Sequence, residues 1–187
     1  MKKITFIIIN SILFSQFLIG QTLNQDALWP NSSWTVEGTY DSSEITDPTI
    51  SANFSYNDDA AGGSSTDEIQ VQSPTIDLTA ASNAGETWIE VVHSYNYNLG
   101  TSFTLEYYDA DTASWSLWND LPENSSTTNN WCGNLTPNTS SILDIGSFTA
   151  SQLTGFRYRF NYNASSVWGF GVCTSSPTIT SQADPSL

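Results

Sequence analysis

Positive charge is almost missing from this chain. Of 187 residues four are Lys or Arg, against nineteen Asp or Glu, for a formal charge of -15. Two of the four, Lys2 and Lys3, stand at the extreme N-terminus, so the body of the chain has only Arg157 and Arg159. This excludes nucleic acid as a partner, because phosphate backbones are held by clustered Lys and Arg. Histidine occurs once, at His93, and no second His stands at metal-ligand spacing. There is no HExxH, no GxSxG elbow, no phosphate loop and no Cys–His dyad supported by spacing. Catalysis is therefore not expected of this domain. The remaining enzymatic option is a carboxylate pair for glycoside cleavage, with Glu90 facing Glu106 across a sheet.

Long apolar runs are absent after residue 20. Before it, residues 1–20 have the parts of a secretory signal: basic Lys2 and Lys3, the largely apolar run Ile4 to Ile19, and small Gly20 ahead of Gln21. The run is short for a bilayer span, and Asn10, Ser11, Ser15 and Gln16 interrupt it. The expected product is secreted or displayed on the cell surface, with no membrane insertion once the signal is removed. Cysteine is also scarce, and neither Cys132 nor Cys173 lies in a metal-binding spacing. An exported protein favours a disulfide between them, with two buried free thiols as the alternative. Such a bridge closes a loop of roughly 40 residues and stabilises the fold by ~3–4 kcal/mol.

What the chain has in abundance is alternation. Ile50, Ala52, Phe54 and Tyr56 share one face of a strand pattern; so do Ile89, Val91, His93, Tyr95 and Tyr97. Phe103, Leu105 and Tyr107 repeat it, and Phe156, Tyr158, Phe160 and Tyr162 repeat it again, with Arg157, Arg159 and Asn161 on the opposite face. Shorter candidates are Trp34–Tyr40, Glu68–Gln72, Thr75–Leu78, Ser114–Trp118, Ile142–Ile145 and Val167–Val172. No long window has helical periodicity. About ten short strands separated by polar turns predict an all-β, antiparallel two-sheet β-sandwich of the jelly-roll kind. The domain is expected over residues 21–173. Residues 174–187, rich in Ser, Thr and Pro, read as a tail or a linker to a further domain.

The acid concentrates in one place. From Tyr56 the chain runs through Asp58 and Asp59, crosses Gly62 and Gly63, and reaches Asp67 and Glu68 at the next strand. Glycines that let carbonyls turn inward, with carboxylates on both sides, are the makings of a structural Ca2+ site, and Glu37 is a further candidate ligand from a neighbouring strand. A solvated hairpin loop has the same composition, and the charge as a whole also serves solubility. Trp118 and Trp131, beside Asn119, Asp120, Asn129 and Asn130, combine flat apolar rings with hydroxyl-binding groups, as sugar stacking requires; core filling is the alternative. Arg157 and Arg159, two apart, point to one strand face. They either grip a carboxylate or sulfate on a ligand or pair with strand carboxylates such as Glu90 or Glu106. His93 falls on an apolar face and reads as a core residue. The six Asn-x-Ser/Thr sequons, at Asn31, Asn53, Asn124, Asn134, Asn138 and Asn163, carry little weight in a chain of this composition.

Three stretches in order resemble a known module. Phe54-Ser-Tyr-Asn-Asp-Asp-Ala-Ala-Gly62 with Ser73-Pro-Thr-Ile-Asp-Leu-Thr79 is similar to the opening of jelly-roll modules in secreted multidomain proteins of Bacteroidetes-type bacteria. Leu105–Trp115 resembles their next strand, acidic turn and Trp, and Phe156–Tyr162 with Trp168–Val172 resembles their last two strands. These are the MAM-like and cleaved-adhesin domains. The resemblance implies a β-sandwich, often stabilised by Ca2+, with a binding or adhesion role towards a glycan or a cell-surface protein, as part of a larger secreted protein. It carries over Asp58 and Asp59. Where the family has an acidic pair after the last strand's Gly-Val, this chain reads Cys173-Thr174-Ser175, which implies a disulfide in place of part of the cation site.

Overall fold

Alternation turns into two facing sheets. The computed structural model describes residues 21–61, 67–126, 132–164 and 169–186. Its strands are β1 (Asn24–Asp26), β2 (Thr35–Thr39), β3 (Ile45–Thr46), β4 (Asn53–Tyr56), β5 (Glu68–Gln72), β6 (Trp88–Asn98) and β7 (Ser102–Asp109). They continue with β8 (Ser114–Asp120), β9 (Thr136–Thr139), β10 (Leu143–Asp144), β11 (Tyr158–Asn163), β12 (Gly171–Ser175) and β13 (Thr178–Gln182). Single helical turns α1 (Asp58–Ala61), α2 (Thr79–Asn83) and α3 (Ala150–Thr154) lie in the connections. Every pairing between the strands is antiparallel, in an eight-stranded and a five-stranded sheet.

The order of strands is that of a jelly roll. One sheet places β12 between β4 and β6, with β9 on the far side of β6; the other runs β2-β5-β11-β7-β8. Successive strands therefore cross between the sheets, and residues far apart in sequence meet in the middle. The 11-residue β6 is the spine. Tyr95 pairs with Thr174 on one edge and Thr136 on the other, while Val92 pairs with Thr178 and Thr139. Hence β12 and β13 follow each other along one edge of β6, and β9 and β10 follow each other along the opposite edge.

Most of the predicted inward faces form the core; Ile50 and Ala52 do not, being exposed in the turn ahead of β4, which begins only at Asn53. Phe54, Tyr56, Ile69, Val71, Ile89, Val91, Phe103, Leu105, Tyr158, Phe160 and Tyr162 are buried between the sheets. Aromatic rings carry much of the contact, among them Phe103 with Phe160 at 6.0 Å and Tyr56 with Tyr162 at 6.0 Å between centroids. Cys132 and Cys173 are joined, with their Cα atoms 5.4 Å apart.

Residues 174–187 require a correction. Thr178–Gln182 is a strand, paired with β6 on one side and β1 on the other, so the domain extends past residue 173. Its inward positions are Ile179 and Ser181, both fully buried. Only one of the two is apolar, which hid the strand in the sequence. Ser181 is satisfied by a polar cluster instead: its hydroxyl donates to Glu86, whose carboxylate also accepts from the Thr22 amide at 2.7 Å and the Thr22 hydroxyl at 2.9 Å. Burial alone would raise the Glu86 carboxyl, but these hydrogen bonds prevail and hold its pKa below the usual value. Elsewhere, Thr75–Leu78 shrinks to one bridge between Ile76 and Phe156, and the N-terminal part of Val167–Val172 lies outside the described residues. The pattern did not reveal β9, whose Pro137 sits opposite Ser94 on an outer strand, where a missing N–H is tolerated.

Candidate functional site

The acidic loop gathers two carboxyls and disperses the rest. After β4 the chain turns through α1, which carries Asp58 inward. Its Oδ2 accepts the Tyr162 hydroxyl at 2.7 Å. Asp67 is buried beside it and hydrogen-bonds both Asp58 and Tyr56. A second carboxyl in contact disfavours the charged form of Asp58. Burial first of all pushes Asp58 up to about 6; the Tyr162 hydrogen bond opposes this, and the Asp67 contact adds to it. Gly169 closes the cradle: a Cβ there would stand 1.7 Å from Asp58 Oδ2 and 2.2 Å from the Tyr162 hydroxyl.

The other expected ligands are elsewhere. Asp59 is exposed. Glu68 lies on the outer face of β5, accepting from Gln70 Nε2 at 2.7 Å, and Glu37 lies on the outer face of β2 opposite Gln70. Among the described residues no three His, Cys, Asp or Glu converge as metal ligands, whereas Ca2+ takes six to eight oxygens. Residues 62–66 lie outside the described set. What the geometry supplies here is one buried carboxyl pair between two tyrosines.

The expected sugar-stacking residues are not exposed as a group. Trp118 is 8% exposed, packs edge-on against Phe156 and Tyr158, and donates Nε1 to the Ser141 carbonyl at 2.8 Å. Alternation along β8 turns it inward, because its neighbour Leu117 pairs outward with Glu106. Asn119 is a loop fastener, accepting from the Ser141 amide at 3.0 Å and donating to the Asp120 carbonyl at 2.7 Å. Asp120 is exposed and lines an open cleft of about 270 Å³ with Tyr97, Gly100 and Glu123. Trp131, with Asn129 and Asn130, lies outside the described residues. His93 is buried as expected, with Phe160 at 4.9 Å and Tyr95 at 5.7 Å; burial pushes its pKa down to about 4, so it is neutral.

A richer cluster occupies the outer face of the five-stranded sheet. Alternation places Arg157, Arg159 and Asn161 there, beside Thr104, Glu106 and Tyr108 of β7 and Trp115 and Leu117 of β8. Arg159 Nε meets Glu106 Oε2 at 2.7 Å and stacks 4.3 Å from the Trp115 ring. Glu106 also accepts from Asn161 at 3.1 Å and Thr104 at 3.0 Å. Arg157 behaves differently: its guanidinium lies 4.0 Å from the Tyr108 ring and 5.6 Å from Trp115. Tyr108 and Trp115 are half-buried and touch edge to face at 5.4 Å, while Leu117 is 58% exposed. The sequence signalled the two arginines on one face; it did not signal Tyr108 and Trp115, because cross-strand register, not sequence proximity, joins them.

Comparison with known proteins gives outlines only. No family model and no curated protein matches the chain. Among solved structures, the K3 cleaved adhesin domain of Lys-gingipain from Porphyromonas gingivalis aligns at 10% identity with a TM-score of 0.49, over 86% of this chain and 99% of that domain. The CBM22-1–GH10 modules of Clostridium thermocellum xylanase 10B align at 13% identity and a TM-score of 0.39, over 88% of this chain and 29% of theirs. An arabinose-bound MgGH51 α-L-arabinofuranosidase aligns at 6% and 0.40, over 86% and 23%.

Proposed function

We propose that this chain is a non-catalytic, extracellular module that binds sugar on the outer face of its five-stranded sheet. The observation that carries the reading is the cluster of Tyr108, Trp115 and exposed Leu117, held rigid by both arginines and bordered by Gln70, Gln72 and Glu106. Rings and aliphatic groups take the C–H faces of pyranoses, and fixed amides and carboxylates take their hydroxyls; building these on strands keeps them in register. Glycoside cleavage by Glu90 and Glu106 is not supported. Glu90 lies on β6 opposite Thr180, in the other sheet, and Glu106 is engaged by Arg159.

Retention on a glycan array tests this. The Trp115→Ala and Tyr108→Ala variants should fold and lose at least about ten-fold in glycan binding, since one stacked ring contributes on the order of 1.4 kcal/mol. A folded wild-type module that retains no glycan would overturn the reading in favour of a structural spacer in a larger secreted protein. The Ca2+ role narrows to the Asp58–Asp67 end. Two converging buried carboxyls are what supports it, and an unchanged melting midpoint in EDTA would remove it.

A further inference from the structure

We infer that Arg157 reads a carboxylate on the bound sugar, so that the ligand of this face is a polysaccharide containing uronic acid. The inference rests on the sugar-binding reading of the same face and adds the ligand's chemistry. The two arginines of the body of the chain share a strand face, yet they are used in opposite ways. Arg159 is neutralised by Glu106 at 2.7 Å. Arg157 has no carboxylate within ion-pair distance and no hydrogen bond to its guanidinium among the described residues; it is held by the Tyr108 and Trp115 rings alone.

Acid is not in short supply around it. Asp109 and Asp111 follow Tyr108 directly in the chain, but both are turned onto α3. Asp109 accepts from Gln152 Nε2 at 2.9 Å and from the Asp111 amide at 2.9 Å, while the Asp111 carboxylate accepts from the Thr149 and Ser151 hydroxyls. A guanidinium kept in place for the fold alone, in a chain with nineteen acids, would end on one of them. Ring contacts fix the plane of Arg157 while leaving its N–H edges undirected, and those edges match a planar carboxylate in a paired, two-point contact. A neighbouring pyranose then has Leu117 and the Trp115 edge beside it.

The charge of the whole molecule gives this contact an unusual salt signature. At -15 the protein repels a polyanion at long range. Raising the salt from about 10 mM to about 150 mM shortens the screening length from ~30 Å to ~8 Å, which removes that repulsion while leaving a contact pair against aromatic rings comparatively intact. Binding should therefore hold or strengthen with salt, the reverse of a basic-patch protein.

Calorimetric titration of the exported chain with an oligogalacturonate, a neutral galacto-oligosaccharide and a sulfated galactan tests the inference. Arg157→Gln and Arg157→Lys should each weaken oligogalacturonate binding at least about ten-fold and lower the uronate-over-neutral affinity ratio by about the same factor, because both sugars share any loosening of the Tyr108 and Trp115 rings. The Lys variant keeps the charge and removes the fork, so its loss separates geometry from charge. Full retention of uronate binding in Arg157→Gln overturns the inference, as does a preference for the sulfated galactan or equal affinity for the neutral sugar. If Trp115→Ala abolishes neutral-sugar binding while Arg157→Gln changes nothing, the sugar-binding face stands and the carboxylate contact falls. If no glycan binds at all, both fall.

Discussion

The two outer faces of this sandwich arise from the same alternation and end up with opposite characters. On the eight-stranded sheet, Ser55, Asn96 and Cys173 stand side by side on paired strands and point outward. A chain segment is laid across them: Cys132 bonds Cys173, and Asn96 Nδ2 donates to the Gly133 carbonyl at 3.0 Å. Cys173 is consequently fully buried although it is on an outer face. On the five-stranded sheet, Arg159, Glu106, Asn161 and Thr104 bond to one another within the face, and Arg157 rests on rings of that face. The difference separates jobs. Covering a face converts it into structure, whereas a face whose side chains brace each other stays rigid and available for a ligand.

Substitutions should split along the same line. The largest effect is expected on the covered face: replacing both Cys132 and Cys173 with Ser should lower stability by ~3–4 kcal/mol, read from the denaturant midpoint, with glycan binding unchanged below the transition. Next comes the buried carboxyl end. Gly169→Ala drives a methyl into Asp58 and Tyr162 and should cost ~2–3 kcal/mol, again by denaturation. Tyr162→Phe removes a buried donor to Asp58 and should cost ~1–2 kcal/mol.

That end should also respond to pH. The folded pKa of Asp58 is raised to about 6, so the fold holds this proton more tightly than the unfolded chain does. Its contribution is complete below pH ~4 and is lost as the pH rises through about 6. Asp58→Asn should flatten that part of the melting-midpoint curve measured in EDTA. His93, lowered to about 4, acts in the other direction: its contribution is present above pH ~6.5 and is lost as the pH falls through about 4. The smallest effect belongs to the open face, where Arg159→Met should cost about 1 kcal/mol: the pair is largely shielded, at 16% and 15% side-chain exposure, but Glu106 keeps Asn161 and Thr104 as donors. A loss of several kcal/mol there would mean that this face, too, is structural.

Much of the fold was legible in the chain, and less of the site. Period-2 runs such as Ile89–Tyr97 and Phe156–Tyr162 gave the inward faces and the sandwich, because burying one side of a strand requires that spacing. β13 was missed since its second buried residue, Ser181, is held by Glu86 rather than by apolar contact. Trp118 was assigned to the surface by its polar neighbours, whereas the strand's alternation decided its direction. The acidic loop was legible as an acidic loop only; which carboxyls converge depended on α1 turning Asp58 inward and on Glu37 and Glu68 belonging to an outer face.

The sequence by itself determined the scarcity of positive charge, the antiparallel class and the sharing of one face by Arg157 and Arg159, since charge count and two-residue periodicity are local properties. Tertiary structure alone decided that, among the described residues, one arginine is neutralised and the other is not. Glu106, Tyr108 and Trp115 reach β11 through strand register, at separations of about fifty residues in the chain, and no local pattern encodes which residue stands opposite which.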